Sequence, residues 1–249
     1  MAKGPRGVVA VTGAERGIGA AIARDLVSRG FTVAVLSIGA RRPDPGKLTP
    51  AQRRRLHAFA CDITDEAQAA QALAQAAKLP GGLVGLVNNA GIQKDGPSHR
   101  FPTADFEAVL RTNVLGTFAM CRLAHPHLVK QGGLIVNISS FWDRMGVKNQ
   151  VAYTASKAAV SSITRSLAVE WAKDGIRVLA VAPGYIETDM NRAALANAKI
   201  QAYIAKRIPR GKSGVPEDIA CVVGALYDTD MAFLTGEIIH VDGGQGIVH

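Results

Sequence analysis

Cysteine is scarce in this sequence, and the few cysteines form no known pattern. The 249 residues include only Cys61, Cys121 and Cys221, which lie far apart without a Cys-x-x-Cys pair. This spacing indicates neither a disulfide framework nor a thiolate zinc site, and it favours a reducing compartment. The one close histidine pair, in His125-Pro126-His127, is interrupted by proline and has no acid or cysteine beside it in the sequence. We therefore expect a cytoplasmic protein without a metal site.

Long apolar runs are also missing. The first seven residues lead directly into a short apolar run and contain neither the apolar core nor the cleavage site of a signal peptide. No apolar run approaches the ~20 residues that a helix needs to cross a bilayer. We predict a soluble protein with no membrane partner.

Aromatic residues make up only 5% of the chain, whereas the formal net charge is +9. A positive balance suits an anionic ligand, such as a phosphorylated cofactor, and it would also suit nucleic acid. The dense basic runs, Arg41-Arg42 and Arg53-Arg54-Arg55, have no interleaved aromatic residues. A solvated face is the better interpretation of these runs, so we expect no nucleic-acid partner.

Short apolar runs alternate with helical patterns along the whole chain. Strands are predicted at 8–12, 32–36, 56–62, 83–87, 134–139, 177–182 and 237–241. Helices are predicted at 20–29, 65–78, 103–130, 151–171, 187–210 and 216–227, with Thr103 as a candidate N-cap and an irregular segment at 41–55. This alternation predicts an α/β protein, a single-domain Rossmann-type doubly wound parallel sheet with helices on both faces. Residues 1–249 would form one domain, with a cofactor half of about 1–135 and a catalytic half of about 136–249.

A glycine-rich turn follows the first predicted strand. Its spacing is Gly13-x-x-x-Gly17-x-Gly19, and a helical pattern stopped by Gly30 comes next. Glycines let a backbone approach phosphates, and a helix N-terminus offers free N–H groups and a positive dipole end. The context of strand, turn and helix predicts a dinucleotide diphosphate site.

The end of the second predicted strand indicates which dinucleotide binds. NAD-binding proteins commonly place an acid here to hold the ribose hydroxyls. This chain has Ser37, followed by Arg41 and Arg42, while Arg16 adds a cation within the glycine turn. The pattern favours NADP as the cofactor and makes NAD the weaker alternative. The competing interpretation is that Arg41 and Arg42 are solvated loop residues.

Tyr153 and Lys157 are four residues apart at the start of a predicted helix, so they lie on one face. An ammonium group beside a phenol favours the phenolate and lowers the tyrosine pKa, which makes the pair a plausible proton donor and acceptor. Ser140 closes the fifth predicted strand, where its hydroxyl could hold a carbonyl oxygen. Such a pair alone is weak evidence, because a half-buried tyrosine and a solvated lysine give the same pattern.

Taken together, these motifs resemble the short-chain dehydrogenase/reductase family over essentially the whole chain. The matching motifs are Thr12-Gly13-x-x-x-Gly17-Ile18-Gly19, Asp62, Asn88-Asn89-Ala90-Gly91, Asn113, Ser140, Tyr153-x-x-x-Lys157 and Pro183-Gly184. Within the family, the segments 183–190 and 235–244 are most similar to 3-oxoacyl-acyl-carrier-protein reductases. Sugar, steroid and xenobiotic carbonyl reductases share those segments.

The resemblance implies a role for each matching residue. Tyr153 would exchange the proton with the substrate oxygen, Lys157 would lower its pKa and hold the nicotinamide ribose, and Ser140 would position the carbonyl. Asn113 would hold a water in a proton relay that reaches Lys157. The implied cofactor-binding residues are Gly13, Glu15, Arg16, Gly17, Ile18, Gly19, Ser37, Arg41, Asp62, Ile63, Asn89, Ala90, Gly91, Tyr153, Lys157, Pro183, Gly184, Ile186 and Thr188.

The substrate is less well defined than the cofactor. We expect specificity in the loop 141–150, where Trp142 and Met145 are either packing residues or a substrate wall, and in a lid at 187–210. The lid mixes apolar residues with cations, which fits an acyl chain on a phosphorylated carrier; the apolar residues are Met190, Leu195, Ile200, Tyr203 and Ile204, and the cations Lys199, Lys206, Arg207 and Arg210. A 3-oxoacyl thioester is therefore slightly favoured over a small ketone or a sugar-type polyol.

Docking of an acyl carrier protein is a separate question. The resemblance implies basic residues before the fifth strand and at the end of the Tyr153 helix. Lys130 fits the first place, but Asp174 stands where an arginine would be expected at the second. The acyl carrier protein is therefore a possible partner rather than a firm one.

Two further expectations concern activity and assembly. A dinucleotide-sensing protein and a nucleic-acid binder are rivals from other functional classes, and an intact proton-relay set argues against both. The predicted helices 103–130 and 151–173 resemble the dimer faces of the family, and the C-terminal strand resembles its second interface. We therefore expect a homotetramer of closed symmetry.

Overall fold

The computed structural model describes residues 6–129, 131–188, 197–229 and 231–247, apart from the side chain of Ile200. Within these ranges seven strands form one sheet in the order β3-β2-β1-β4-β5-β6-β7, and each neighbouring pair is parallel. The strands are β1 (Val8–Thr12), β2 (Thr32–Ser37), β3 (Leu56–Ala60), β4 (Leu83–Asn88), β5 (Gly133–Ile138), β6 (Ile176–Pro183) and β7 (Ile238–Val241). The doubly wound parallel sheet predicted from the sequence is confirmed.

Helices cover both faces of this sheet. They are α1 (Gly17–Ser28), α2 (Pro50–Arg53), α3 (Glu66–Ala77), α4 (Thr103–Leu110), α5 (Thr117–Leu128), α6 (Val151–Glu170), α7 (Ala198–Arg207) and α8 (Pro216–Asp228). No helix in the described ranges is both long and apolar enough to span a bilayer.

The core consists of two apolar layers, one on each face of the sheet. Alternate residues of a strand point to opposite faces, so Val9 and Val11 join the layer under α1 and α8. Val8 and Ala10 join the layer under α3, α5 and α6. Because β1 is buried on both faces, it reads as a continuous apolar run.

The helix predicted at 103–130 is interrupted. Between α4 and α5, residues Arg111–Gly116 form a π-helical segment, and Asn113 is buried within it. Thr103 is the first helical residue and Pro102 takes the N-cap position, so the predicted threonine cap is wrong. Pro126 lies inside α5 without ending it.

Two other segments differ from the sequence-based expectation. The irregular stretch 41–55 contains the short helix α2, which begins with a capping box between Thr49 and Gln52. Of the helix predicted at 187–210, the described residues contain α7. Ile186 pairs with Gly214 in an isolated bridge, and the Glu187 amide donates to the Gly214 carbonyl at 2.8 Å. Residues 189–196, including Met190 and Leu195, lie outside the described residues.

Candidate active site

The site lies at the carboxyl edge of the sheet. The strand order reverses on either side of β1, because β2 lies on one side and β4 on the other. Ligands of open parallel sheets bind at such a reversal point, beyond the carboxyl ends of the strands. The residues that end β1, β2, β4, β5 and β6 are those that the sequence singled out.

Tyr153 and Lys157 lie one turn apart on α6, as their spacing predicts. The Lys157 ammonium lies 5.5 Å from the centroid of the Tyr153 ring. Its Nζ donates a 2.8 Å hydrogen bond to the carbonyl of Ile138 at the end of β5, and the residue is only 6% exposed. A buried cation is therefore fixed beside the phenol by the strand that carries the serine.

Burial sets the pKa values of this pair. Removal from water raises the pKa of Tyr153 to about 12, against the opposing effect of a hydrogen bond with Ser140. Removal from water lowers the pKa of Lys157 to about 8. The lowering of the tyrosine pKa expected from Lys157 is not found, because burial has the largest effect on Tyr153. At neutral pH the phenol keeps its proton.

Ser140 follows β5 with an extended backbone, and its Oγ accepts a 3.2 Å hydrogen bond from the Trp142 amide. The hydroxyl is buried and borders the Tyr153 hydroxyl. Two hydroxyl groups therefore point toward one position, where a substrate oxygen can accept hydrogen bonds from both.

Asn113 enters the site from the π-helical segment. Its Oδ1 accepts from the Ile92 amide at 2.8 Å, and its Nδ2 donates to the Ile92 carbonyl at 2.9 Å and to Ser156 Oγ at 3.0 Å. A Cβ on Gly91 would lie 3.1 Å from Asn113 Oδ1 and 3.9 Å from Lys157 Nζ. Gly91 thus leaves open the space where these two side chains approach each other.

The glycine turn between β1 and α1 packs tightly against β4. Asn89 Nδ2 donates to the carbonyls of Thr12 and Gly13 at 3.0 and 3.1 Å. A Cβ on Gly19 would lie 2.5 Å from Asn89 Nδ2 and 2.6 Å from the Gly13 carbonyl oxygen, and Gly13 itself has φ +62°. Glycine is therefore required here by the fold as well as by ligand approach.

This turn fits a dinucleotide diphosphate. Among the residues that the structure describes, no side chain caps the first turn of α1, and that turn contains no acid. The N–H groups and positive dipole end of α1 are then free of a competing carboxylate, which suits a phosphate. Exposed Arg16 occupies the N-cap position.

Glu15 links the glycine turn to the end of β2. Its Oε1 accepts from Ser37 Oγ at 2.7 Å and from the Arg41 amide at 3.2 Å. The Ser37 hydrogen bond lowers the pKa of Glu15, with a further contribution from the Arg41 charge. The sequence shows no acid after β2, but the fold brings one there from the preceding turn.

The remaining predicted cofactor residues divide into two groups. Asp62 Oδ1 accepts from the amide and hydroxyl of Thr64, so it stabilises the turn after β3, and Ile63 is buried. Thr188 lies over the glycine turn, because its Cγ2 would be 3.6 Å from a Cβ on Gly17. The others stand at strand ends or beside the turn: Ile18, Ala90, Pro183, Gly184 and Ile186.

An aromatic cluster borders Tyr153 on the substrate side. Trp142 meets Tyr153 and Tyr185 edge-on at ring distances of 5.9 and 6.0 Å. Phe141 and Tyr203 also contact Tyr185. The cluster around Trp142 therefore extends to the loop after β6 and to α7. A substrate wall at Trp142 stays a prediction. Sequence reasoning missed Tyr185, although its place next to Pro183-Gly184 was the available signal.

Titratable side chains elsewhere in the described ranges form no group of three that could hold a metal. His125 does have an acid beside it, since its Nε2 lies 2.8 Å from Asp174 Oδ2. The spacing of these residues in the sequence does not indicate the contact, because 49 positions separate them.

Known proteins are similar to this chain in sequence and in fold. A family model described as enoyl-(acyl carrier protein) reductase matches residues 13–245. The chain is 38% identical to the 3-oxoacyl-[acyl-carrier-protein] reductase of Aquifex aeolicus, covering 94% of this chain and 95% of that protein. It is 36% identical to the 2-(R)-hydroxypropyl-CoM dehydrogenase of Xanthobacter autotrophicus, covering 95% and 97%.

A solved structure supports the same relationship. The gluconate 5-dehydrogenase of Burkholderia cenocepacia, solved with NADP and tartrate, superposes with a TM-score of 0.88 at 28% identity, covering 98% of this chain and 97% of that one. Fold, site and relatives together define an NAD(P)-dependent oxidoreductase. The chain belongs to the short-chain dehydrogenase/reductase family.

Proposed function

We propose that this protein is an NADPH-dependent reductase that converts a carbonyl group into an alcohol. The observation that carries the proposal is the position of the Tyr153, Lys157 and Ser140 side chains at the same sheet edge as the glycine turn. A sensor or a nucleic-acid binder has no need for a buried lysine beside a protonated phenol.

The side chains account for the proton half of the reaction. When bound, a reduced nicotinamide supplies the hydride. Ser140 and Tyr153 hold the substrate oxygen, and Tyr153 gives it a proton as negative charge develops there. The Lys157 ammonium stabilises the phenolate that remains. Asn113 would hold a water that returns a proton toward Lys157.

Turnover is tested by NADPH absorbance with a panel of ketones. The proposal expects substrate-dependent oxidation of NADPH that needs the Tyr153 hydroxyl. Binding of NADPH without turnover of any ketone or thioester would favour the dinucleotide-sensing alternative.

We propose NADPH rather than NADH because two cations stand near the place where a 2′-phosphate would lie. Arg16 occupies the N-cap position of α1 without a capping hydrogen bond, and Arg41 follows β2, where its amide donates to Glu15. A charge-assisted hydrogen bond to phosphate is worth about 1.5–3 kcal/mol, or roughly 10- to 150-fold in affinity. Fluorescence titration should therefore give tighter NADPH than NADH binding, and Arg16→Ala should narrow the ratio. An unchanged ratio in Arg16→Ala would reject this assignment.

A 3-oxoacyl thioester is the substrate class that the lid supports best. A cavity of about 420 Å³ beside Tyr185 is lined by apolar Ile208, by the cations Arg210 and Lys212, and by the acids Asp218 and Asp242. The apolar and basic residues suit an acyl chain whose carrier is phosphorylated, whereas the two acids do not, and the Aquifex relative is a 3-oxoacyl-[acyl-carrier-protein] reductase. A sugar-type polyol is the alternative, favoured by the likeness to a gluconate dehydrogenase. Steady-state kinetics on acetoacetyl-coenzyme A beside ketones and polyols separates the two.

Recognition of an acyl carrier protein depends on charged residues at two other places in the chain. Asp174 is held by His125, so its negative charge is fixed where a cation is expected. Lys130 lies outside the described residues. Charge reversal at Lys206 and Arg207, both at the end of α7, should weaken turnover of a carrier-bound thioester if the lid contacts the carrier.

We propose a cytoplasmic homotetramer, with cofactor binding in residues 1–135 and catalysis in residues 136–249. Large exposed apolar side chains support the assembly. Leu115 in the π-helical segment, Phe118 in α5 and Val169 in α6 are 62%, 42% and 81% exposed, and Phe233 is fully exposed before β7. Light scattering should give four times the 26.2 kDa chain mass. A monomer would contradict the assignment.

A further inference from the structure

Asp143 is a buried carboxylate with no part in the proton chemistry described above. It lies in the 3₁₀ turn Phe141–Arg144, which directly follows Ser140, and its side chain is 5% exposed. Burying an ionised carboxylate is costly unless its oxygens have hydrogen-bond donors. Both oxygens of Asp143 have them, which indicates a specific use for the group.

The two donors come from two different elements. Ser161 Oγ, on α6, donates to Asp143 Oδ2 at 2.6 Å. His240 Nε2, on β7, lies 3.3 Å from Asp143 Oδ1 and donates to it in the tautomer that carries a proton on Nε2. The carboxylate therefore ties the turn that follows Ser140 to the helix that carries Tyr153 and to the strand at the edge of the sheet.

The contacts of Asp143 with Ser161 and His240 form a clamp, and Ser161 connects this clamp to residues next to the catalytic side chains. Ser161 is one helical turn beyond Lys157, and its hydroxyl lies 2.9 Å from that of Ser139. Ser139 Oγ also donates to the Lys157 carbonyl at 3.1 Å. Each hydroxyl has one proton. The 2.6 Å contact with a carboxylate assigns the Ser161 proton to Asp143, so the single Ser139 proton is shared between Ser161 Oγ and the Lys157 carbonyl. Ser139 and Ser161 are both at most 3% exposed.

The turn held by this clamp carries Trp142. The Trp142 ring packs edge-on against Tyr153 and Tyr185, so its position sets the spacing between these two tyrosine rings. Asp143 is adjacent to Trp142, and at the other end of the turn Arg144 donates to the Gly246 carbonyl at 3.5 Å. Loss of the carboxylate would remove the side-chain contacts that tie the turn to α6 and β7.

We propose that Asp143 is a positioning residue for substrate selection, which acts through Ser161 and His240 to fix Trp142 against Tyr153. The proposal rests on the carbonyl chemistry proposed above for its kinetic consequence. Its structural consequence, a fixed Trp142, needs no substrate. The two can therefore fail separately.

Fluorescence tests the structural consequence. The sequence has two tryptophans, so in a Trp171→Phe background Trp142 is the only one. Asp143→Asn keeps the side-chain shape but removes the charge and one acceptor. We expect it to raise acrylamide quenching of Trp142 about twofold, as local opening of the turn becomes more frequent. Ser161→Ala and His240→Gln should each give part of this increase.

Kinetics test selection. With a bulky and a compact ketone, Asp143→Asn should raise KM for the bulky ketone by about tenfold, equivalent to the loss of one hydrogen bond to a charged group. kcat should change less, so the ratio of the two kcat/KM values should shift toward the compact ketone. The dissociation constant of NADPH should stay unchanged, and the stoichiometry of the same titration measures the folded fraction. A loss of stability alone lowers the active concentration without moving KM.

The pair of His125 and Asp174 provides the matched control. It has the same chemistry at 2.8 Å, but it joins α5 to the end of α6 away from the aromatic cluster. Asp174→Asn should leave quenching, KM and ketone preference unchanged. The proposal is overturned if Asp143→Asn leaves the quenching unchanged, or if Asp174→Asn changes it equally. If the wild-type protein reduces no ketone, the proposed function fails, and the quenching comparison still decides whether Asp143 holds Trp142.

Discussion

The cofactor side and the substrate side of the cleft are built from different parts of the chain. On the cofactor side the backbone makes the surface, with the glycine turn packed on Asn89 and the first turn of α1 beyond it. On the proposed substrate side, side chains make it, since Trp142 and Tyr185 pack edge-on and Asp143, next to Trp142, accepts a hydrogen bond from Ser161. A backbone surface has little freedom to vary, whereas a side-chain wall can change residue by residue while the chemistry between them stays the same.

The largest expected effect comes from Tyr153, which lies between the cofactor side and the substrate side. Tyr153→Phe removes the proton donor and little volume, so kcat should fall by about 10²- to 10⁴-fold, the usual contribution of a general acid. The NADPH dissociation constant, measured by fluorescence, should hardly move. Retention of full activity would show that the proton comes from another group.

Gly19→Ala should weaken cofactor binding, and so should affect the cofactor side of the cleft alone. The added Cβ would lie 2.6 Å from a backbone oxygen that cannot move away, so the turn must shift. Overpacking of this kind costs about 1–3 kcal/mol, which would weaken NADPH binding roughly 5- to 150-fold. Gly146→Ala is the control for cofactor binding, since nothing lies within 4 Å of its Cβ position. Equal dissociation constants for the two variants would contradict the close packing described here.

The pH dependence should report Lys157 rather than Tyr153. Burial lowers the pKa of Lys157 from 10.5 to about 8, so its charge is present below pH 8 and is lost as the pH rises through that value. Burial raises the pKa of Tyr153 to about 12, so the phenol keeps its proton throughout this range. Because the ammonium stabilises the phenolate that is formed, kcat/KM for reduction should fall about tenfold per pH unit above 8. A profile that stays flat to pH 10 would contradict this assignment.

The smallest expected effect concerns the acid that the fold brings to β2. Glu15→Gln removes a negative charge next to Ser37 and Arg41 while keeping an acceptor oxygen. For a partly exposed charge about 1 kcal/mol is at stake, so the preference for NADPH over NADH should rise by about fivefold. Dissociation constants for both cofactors give this ratio, and a fall in the ratio would show that Glu15 supports phosphate binding.

The same contrast explains which parts of the site the sequence could predict. Strand ends, the glycine turn and the i,i+4 pair of Tyr153 and Lys157 are local patterns, and the structure brings them together at one edge. Contacts between distant segments are not encoded locally. Neither Asp143 with His240, 97 positions apart, nor Glu15 with Ser37 could be read from spacing.

The pKa of Tyr153 shows a second limit of the sequence. Spacing identifies the neighbouring ammonium, but it does not give the depth at which the pair is buried. Burial turned out to be the larger effect, and it reverses the direction of the expected shift.

The π-helical segment Arg111–Gly116 has a consequence for insertions and deletions. Val109 in α4 and Leu128 in α5 are both fully buried, although 19 positions separate them. Five α-helical turns account for about 18 residues, at 3.6 per turn. A wider π turn absorbs one additional residue of this kind. Deleting one residue from 111–116 should therefore turn Asn113 relative to one flanking helix by about 100°, the rotation per residue of an α-helix. Chain length in this segment is as much a requirement of the site as the identity of Asn113.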